Sequence, residues 1–276
     1  MPYTVAPKGW THRDPNPFTS DGNYGSEWSC FRVCSDQQCE VFTGRGPNGL
    51  FAACFRPDVE HLDHHLADFL RYETQQRRRV IVSFPQGEDA DATIDRALAV
   101  TPPVGAVRSA DPKIVVHSTT ADAWNNIRRD GVLKSLARLK AEGLVCRRSE
   151  VERYRVNEPE EYVDNIVFGA MDSPSPELVV LSKAKGAFVR DPNTPYEPGC
   201  RLYFDNYRII ESGRGERDGL HLIKIRSELP LDGFLVAAIT SVDADPERLV
   251  RVWTPAEFVE RANTVLLGRL SRSEGA

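Results

Sequence analysis

No apolar run in this chain approaches the roughly 20 residues that a helix needs to cross a bilayer. The longest are short segments such as GFLVAAI, Gly233–Ile239. The opening residues, MPYTVAPKGWTHRDPNPF, lack a basic stretch followed by an apolar one, so no secretory signal is expected. No internal repeat and no low-complexity tract is present. These absences predict a cytoplasmic protein with no membrane partner. A basic excess is missing too: 35 Lys and Arg stand against 40 Asp and Glu, a net charge of −5. That excludes a general polyanion binder and leaves room for a local basic groove.

Cysteine is present, but in no C-x2-C pair. The six are Cys30, Cys34, Cys39, Cys54, Cys146 and Cys200. Cys30, Cys34, Cys39 and Cys54 are close enough in sequence to raise a zinc site, yet structural zinc usually shows a tighter pair of ligands. Reduced, partly buried thiols are expected, with metal binding by these four as the open alternative. His61 and His65 share a helical face at i, i+4, but Glu60, Asp63 and Asp68 suggest a solvated one. No metal is assigned.

At 276 residues, one large domain or two small ones are expected. The Pro-Pro of TPPVGAVRSADP divides the chain into an N-terminal α/β module, residues 1–107, and a second domain, residues 108–276. Residues 1–25 read as an irregular arm. EWSCFRVC, CEVFTG, LFAACF and RRRVIVSFP read as strands, with GRGPNG a turn. Val59, Leu62, Leu66, Phe69 and Leu70 have helical spacing, with Asp58 as the expected cap, and DADATIDRALAV is a second helix. The run Arg77-Arg78-Arg79 is either a phosphate contact or a solvated strand entry.

The most informative stretch is KIVVHSTTADAWNNIRRDGVLKS, Lys113–Ser135. Ile114, Val115 and Val116 form a buried strand. A helix follows, with Asp122 as a possible cap and Gly131 as its left-handed end. His117, Ser118, Thr119 and Thr120 stand at the junction, where free N–H groups and a helix dipole suit a sugar hydroxyl, an amide or a phosphate. The same residues also suit a plain helix cap. The local pattern leaves both readings open.

The patterns V-H-x-T and W-x-x-I-x-x-x-G-V in this stretch resemble the opening of the ADP-ribosyltransferase fold, and most of all its RNA 2'-phosphotransferase and DarT-type nucleic-acid ADP-ribosyltransferase branches. LVVLS, ending at Ser182, resembles the phosphotransferases' second-strand H-V-H-L-S motif, and the segment from Leu231 through WTPAEF resembles their closing strand–turn–strand. The resemblance covers roughly residues 113–262. It implies an α+β fold, with a split, mostly antiparallel sheet. It implies NAD as co-substrate, with His117 on the ribose, the Ser118 backbone on the carboxamide, Thr119 supporting the turn and Ser182 in the same pocket. Arg147 and Arg148 match the arginine that DarT-type enzymes set against the diphosphate. The chain departs from the phosphotransferases at Glu177, Leu178 and Thr240, where that branch has its arginines and a histidine.

Transferases of this fold generally use a late glutamate. Glu211 and Glu216 are the candidates, with His221 as a possible proton carrier. Tyr196, Tyr203, Phe204 and Tyr207 are available for stacking or for packing. The expected function is ADP-ribosyl transfer from NAD, with release of nicotinamide, to a nucleic acid base or phosphate on DNA or RNA. The alternatives are a 2'-phosphotransferase relative and a non-catalytic module that binds NAD, ADP-ribose or a nucleic acid end.

Overall fold

A computed structural model of the chain describes residues 3–34, 42–103, 105–144, 159–250 and 252–274. The protein is a mixed α+β structure of two compact units. Unit 1 comprises Met1–Ala110, Arg155–Tyr162 and Arg217–His221; unit 2 comprises Asp111–Tyr154, Val163–Glu216 and Leu222–Ala276. No described helix is long and apolar enough to cross a membrane.

Unit 1 is built on a five-stranded sheet in the order β1-β5-β2-β4-β3, from β1 (Tyr3–Val5), β2 (Trp28–Val33), β3 (Phe42–Arg45), β4 (Phe51–Phe55) and β5 (Arg79–Ser83). β1, β5, β2 and β4 are mutually parallel, and β3 returns antiparallel along β4. A parallel arrangement needs crossovers: α1 (Leu62–Gln75) connects β4 to β5, and α2 (Ala90–Val100) follows β5. Strand side chains alternate between faces. Phe31, Val33, Ala53, Val80 and Val82 meet Leu66, Phe69 and Leu70 of α1 and Ile94 of α2. The other face, with Cys30, Ala52, Cys54 and Ile81, is covered by Trp10 of the N-terminal arm. Each fully buried large side chain of these layers contributes about 1.5–3 kcal/mol.

Two expectations for this unit change. The arm is not wholly irregular, because Tyr3–Val5 adds an edge strand to the sheet. Asp58 does not cap α1: the helix starts at Leu62, behind a left-handed His61 that makes no side-chain cap. At its other end Arg77 takes the left-handed conformation (φ 60°), while the Arg78 N–H bonds to the Glu73 carbonyl at 2.9 Å. Glycine usually fills that position.

Unit 2 holds an antiparallel six-stranded sheet in the order β10-β11-β8-β6-β9-β13. Its strands are β6 (Ile114–Thr119), β8 (Asn165–Ala170), β9 (Cys200–Asp205), β10 (Gly215–Glu216), β11 (Ile223–Arg226) and β13 (Leu235–Thr240). A separate pair joins β7 (Val132–Lys134) to β12 (Glu228–Pro230). β6 pairs with β9 from Ile114 to Thr119, whereas its pairing with β8 is limited to Val115↔Ala170 and Val116↔Gly169. β8 spends its earlier residues, Asn165–Phe168, on β11. The sheet is therefore two three-stranded halves, joined by two residue pairs, that fork after Val116.

Among the described residues, the α-helices of unit 2 are α3 (Ala121–Asp130), α4 (Leu136–Ala141), α5 (Ser175–Lys185), α6 (Asn206–Glu211), α7 (Ser241–Ala244) and α8 (Pro255–Glu274). Leu181 of α5 and Phe258, Ala262 and Leu266 of α8 cover one face of β6, β9 and β13 around Val116, Tyr203 and Ile239. The LVVLS segment is thus helical, not a strand. Pro176 stands in the first turn of α5 and Gly186 ends it in the left-handed conformation (φ 61°), so its boundaries are helix boundaries despite the β-branched run between them.

Gly199, just ahead of β9, presses on the β6–α3 junction. A Cβ there would lie far inside contact distance of the Thr119 carbonyl oxygen and the Thr120 and Ala121 backbone. Gly199→Ala is expected to cost about 1–3 kcal/mol, read as a lower midpoint in urea unfolding. An unchanged midpoint would show that β9 can slide away from the junction at no cost.

Candidate functional site

Of the sequence-derived candidates, His117, Ser118 and Thr119 stand at the fork of unit 2. Alternation along β6 sends Ile114, Val116 and Ser118 to the face covered by α5 and α8, and Val115, His117 and Thr119 to the opposite face. His117 Nδ1 lies 3.2 Å from the Val167 carbonyl of β8, and its ring is 6.0 Å from that of Phe168. A carbonyl only accepts, so Nδ1 carries the proton and Nε2 is left as an acceptor. Burial lowers the His117 pKa to about 4, with the Lys183 charge adding to the effect against the pull of the Val167 carbonyl. The imidazole is neutral at physiological pH.

Past Val116 the β8-facing edge of β6 has no ladder partner among the described residues, since β6–β8 pairing ends there. Thr120, not Asp122, caps α3: its Oγ1 accepts from the Ala123 N–H at 3.2 Å. Gly131 closes α3 in the left-handed conformation (φ 69°).

On the other face lies a buried ion pair. Arg201 and Glu177 are 0 % and 2 % exposed, and Arg201 Nη1 donates to Glu177 Oε1 at 2.8 Å. Arg201 Nη2 donates to the carbonyls of Met171 at 2.7 Å and Ser173 at 3.2 Å. Burial raises the Glu177 pKa, against Arg201 and the Ser118 hydroxyl, which lower it. Ser118 Oγ stands close enough to be felt by that carboxylate, but it makes no well-formed hydrogen bond, and the Tyr196 hydroxyl is likewise buried without one.

The remaining candidates are more dispersed. Ser182 is buried in α5 and accepts the Val189 N–H at 2.9 Å, so its hydroxyl ties down the segment after the helix. Glu211 is exposed at the end of helix α6, where the sequence suggested a strand end. Glu216 is half-buried on edge strand β10, in register with the buried Lys224. Tyr203 and Phe204 are fully buried and offer no ring to a ligand. Tyr207 donates to the Asp111 carbonyl at 3.3 Å. Arg147, Arg148, Cys39 and Cys146 lie outside the described residues.

His221 belongs to unit 1. Its Nδ1 is 2.9 Å from Oδ2 of the buried Asp218, which also accepts the Tyr162 hydroxyl at 3.0 Å. Asp218 Oδ1 takes the backbone N–H groups of Leu220 and His221, each at 2.9 Å. Gly219 (φ 75°) lets this loop rest on α1, where His65 Nδ1 meets the Gly219 carbonyl at 2.7 Å. No local pattern marks Asp218, whose contacts with Tyr162 come from long-range packing.

Unit 1 also contains a cavity of about 300 Å³ bordered by Arg45, Arg77, Arg78, Glu27, Glu160 and Glu161. Arg78 bridges Glu73 and Glu161, each at 2.6 Å, and Arg79 lies over the Trp28 ring at 5.4 Å from its centroid. Of the arginine run, Arg78 and Arg79 thus have structural partners.

Comparison with protein-family models, with curated proteins and with solved structures returns no match.

Two measurements probe this site. His117 has a folded pKa near 4 against an ordinary 6.5. Between those values the unfolded chain holds a proton that the folded chain does not. Its contribution is therefore fully present above pH 6.5 and is lost as pH falls toward 4, by up to about 3 kcal/mol. Urea unfolding of the wild type and of His117→Gln across that window should show a shallower slope for the variant; equal slopes would mean that His117 titrates normally. Separately, Arg201→Met should cost about 3–5 kcal/mol by stranding the Glu177 carboxylate, and Arg201→Met with Glu177→Leu should recover much of it. A double variant as unstable as the single one would show that the carbonyl contacts of Arg201 matter more than the pair.

Proposed function

We propose that unit 2 binds NAD at the fork of its sheet and transfers ADP-ribose to a base or phosphate of DNA or RNA, releasing nicotinamide. The observation that carries this reading is a neutral His117 at the point where β6 loses its β8 partner, with Nδ1 held by the Val167 carbonyl and Nε2 left as an acceptor. An acceptor nitrogen beside an unpaired strand edge suits a ligand that brings hydroxyls and an amide together. The nicotinamide riboside half of NAD does so. The resemblance of Val116–Thr119 and Trp124–Val132 to ADP-ribosyltransferases supports the same choice, and the split, mostly antiparallel sheet is compatible with it.

In this reading His117 and the β6 edge position the ribose and the carboxamide. The glycosidic bond breaks as nicotinamide leaves with the bonding pair, and the acceptor's lone pair forms the new bond to the anomeric carbon. The acceptor's proton leaves to a carboxylate, for which Glu211 and Glu216 are the candidates; an anion near the sugar also stabilises the positive charge that builds there. The 2'-phosphotransferase alternative is less well supported. At the places where that branch carries a histidine and an arginine, this chain has Leu178 and a Glu177 already spent on Arg201.

The test is nicotinamide release from NAD, alone and with single-stranded DNA, RNA or 2'-phosphorylated RNA. Release dependent on one nucleic acid is expected. His117→Ala should lower kcat/KM by about a hundredfold through misplacement of the sugar, with circular dichroism unchanged. Glu211→Gln and Glu216→Gln identify the carboxylate by which of them loses turnover while retaining NAD. Calorimetry showing no NAD binding, together with no release under any condition, would overturn the proposal. NAD binding without release would favour the non-catalytic module.

A further inference from the structure

The cysteine layer of unit 1 is self-contained. Cys34 is disulfide-bonded rather than a reduced thiol, His12 Nδ1 is met by the Arg32 guanidinium at 3.3 Å, and no three metal-ligating side chains gather among the described residues. The cavity of about 300 Å³ in the same unit is different. All of its lining belongs to unit 1. It sits at the starts of β2 and β4, next to Trp28 and Phe51, and at the end of α1, next to Gln76 and Arg77.

Arg77 occupies a position that normally selects glycine. Its φ is 60°. It closes α1 with the two bonds of a Schellman turn: its own N–H to the Thr74 carbonyl at 3.0 Å, and the Arg78 N–H to the Glu73 carbonyl at 2.9 Å. Glycine would make this turn without strain, whereas a side chain is strained there. The arginine therefore contributes nothing that the turn needs. Arg78 and Arg79 have structural partners, but the Arg77 guanidinium makes no ion pair or hydrogen bond among the described residues. What Arg77 brings to this place is a cation on the rim of the cavity.

The rim carries both signs. Arg78 is closed off by Glu73 and Glu161. That leaves Arg45 and Arg77 against Glu27 and Glu160. Arg45 is steadied by Nη1, which donates to the Gly49 carbonyl at 2.6 Å. The Glu27 carboxylate folds into space that a Cβ on Gly25 would take. Neither Glu27 nor Glu160 makes an ion pair among the described residues. A ligand of one sign would be repelled by half of this rim, whereas a ligand with both signs side by side meets a partner for each. The end of α1 adds the negative end of a helix dipole, which favours an ammonium. The volume lies at the small end of ligand pockets, which run from about 300 to 1,000 Å³.

We propose that this cavity binds a free α-amino acid with an apolar side chain. The carboxylate accepts from Arg77 and Arg45, whose planar forks match it. The ammonium donates to Glu27 and Glu160. The side chain lies against Trp28 and Phe51, which are 3 % and 2 % exposed and form the apolar wall. Binding is non-covalent and does not draw on the NAD reading of unit 2.

The test uses the full chain in calorimetry, with valine, leucine, methionine and phenylalanine as probes. The amide and the N-acetyl form of the tightest binder each lack one of the two charges. About one amino acid per chain is expected to bind, and each single-charge analogue should bind at least about tenfold more weakly. Arg77→Gly should weaken binding by more than about tenfold, while its midpoint in urea unfolding stays at or above that of the wild type. Glu27→Gln should weaken binding with the midpoint unchanged. No binding of any of the four at about millimolar concentration would overturn the proposal. So would an analogue that binds as well as its parent, or an Arg77→Gly chain that binds like the wild type. A lower midpoint for Arg77→Gly would also overturn it, since Arg77 would then serve the fold. Where a variant fails to fold, the analogues on the wild-type chain decide.

Discussion

Strand β6 is paired along its whole length on one side and over only two residues on the other, and the organisation of unit 2 depends on that asymmetry. β8 divides its residues between its two partners. It gives Asn165–Phe168 to β11 and only Gly169 and Ala170 to β6. A strand edge left open inside a sheet is costly unless something occupies it. His117 partly closes the gap by reaching across to the Val167 carbonyl. The ring then spans the fork as a neutral group, because burial outweighs the favourable carbonyl contact for its charged form.

The opposite face of β6 is held by a different force. Arg201 is fully buried, and its charge is met by Glu177 and by the carbonyls that precede α5. One side chain thus ties β9 to the start of α5 and to the turn after β8. Such a pair is a poor source of net stability, because both ions lose their water, but removing either partner leaves the other charge buried and unmet. Tyr203 extends the arrangement, donating at 2.8 Å to Asn263, which in turn donates to the Met171 carbonyl at 2.9 Å. Three helices and strands are thereby registered on one small polar core.

Much of the fold was legible wherever local pattern and tertiary demand coincide. The apolar runs at Trp28–Val33, Phe51–Phe55 and Arg79–Ser83 are strands buried on both faces, as parallel strands are. Ile114–Val116 and the helix ending at Gly131 follow the same rule. Two readings failed where local signals competed. Leu178–Ser182 carries a β-branched, apolar sequence, but Pro176 and Gly186 bracket it as a helix and its buried residues face the sheet. The residues before Glu211 look like one apolar strand; Asp205 instead caps a helix by accepting the Arg208 N–H at 3.0 Å, so Glu211 ends on the surface.

The sequence by itself determined the alternation that buries β6, the histidine at its mouth and the capped helix behind it. Each of these depends on neighbours within a few residues. It could not say that β6 and β8 part after two pairs, that Arg201 would find Glu177, that Asp218 would hold His221 in unit 1, or that His12 would meet Cys54. Those contacts join residues 24 to 55 positions apart, or, for His221, segments assigned to the first unit from late in the chain. Their partners are chosen by packing and by the need to satisfy buried charge and backbone, and only the folded chain supplies both.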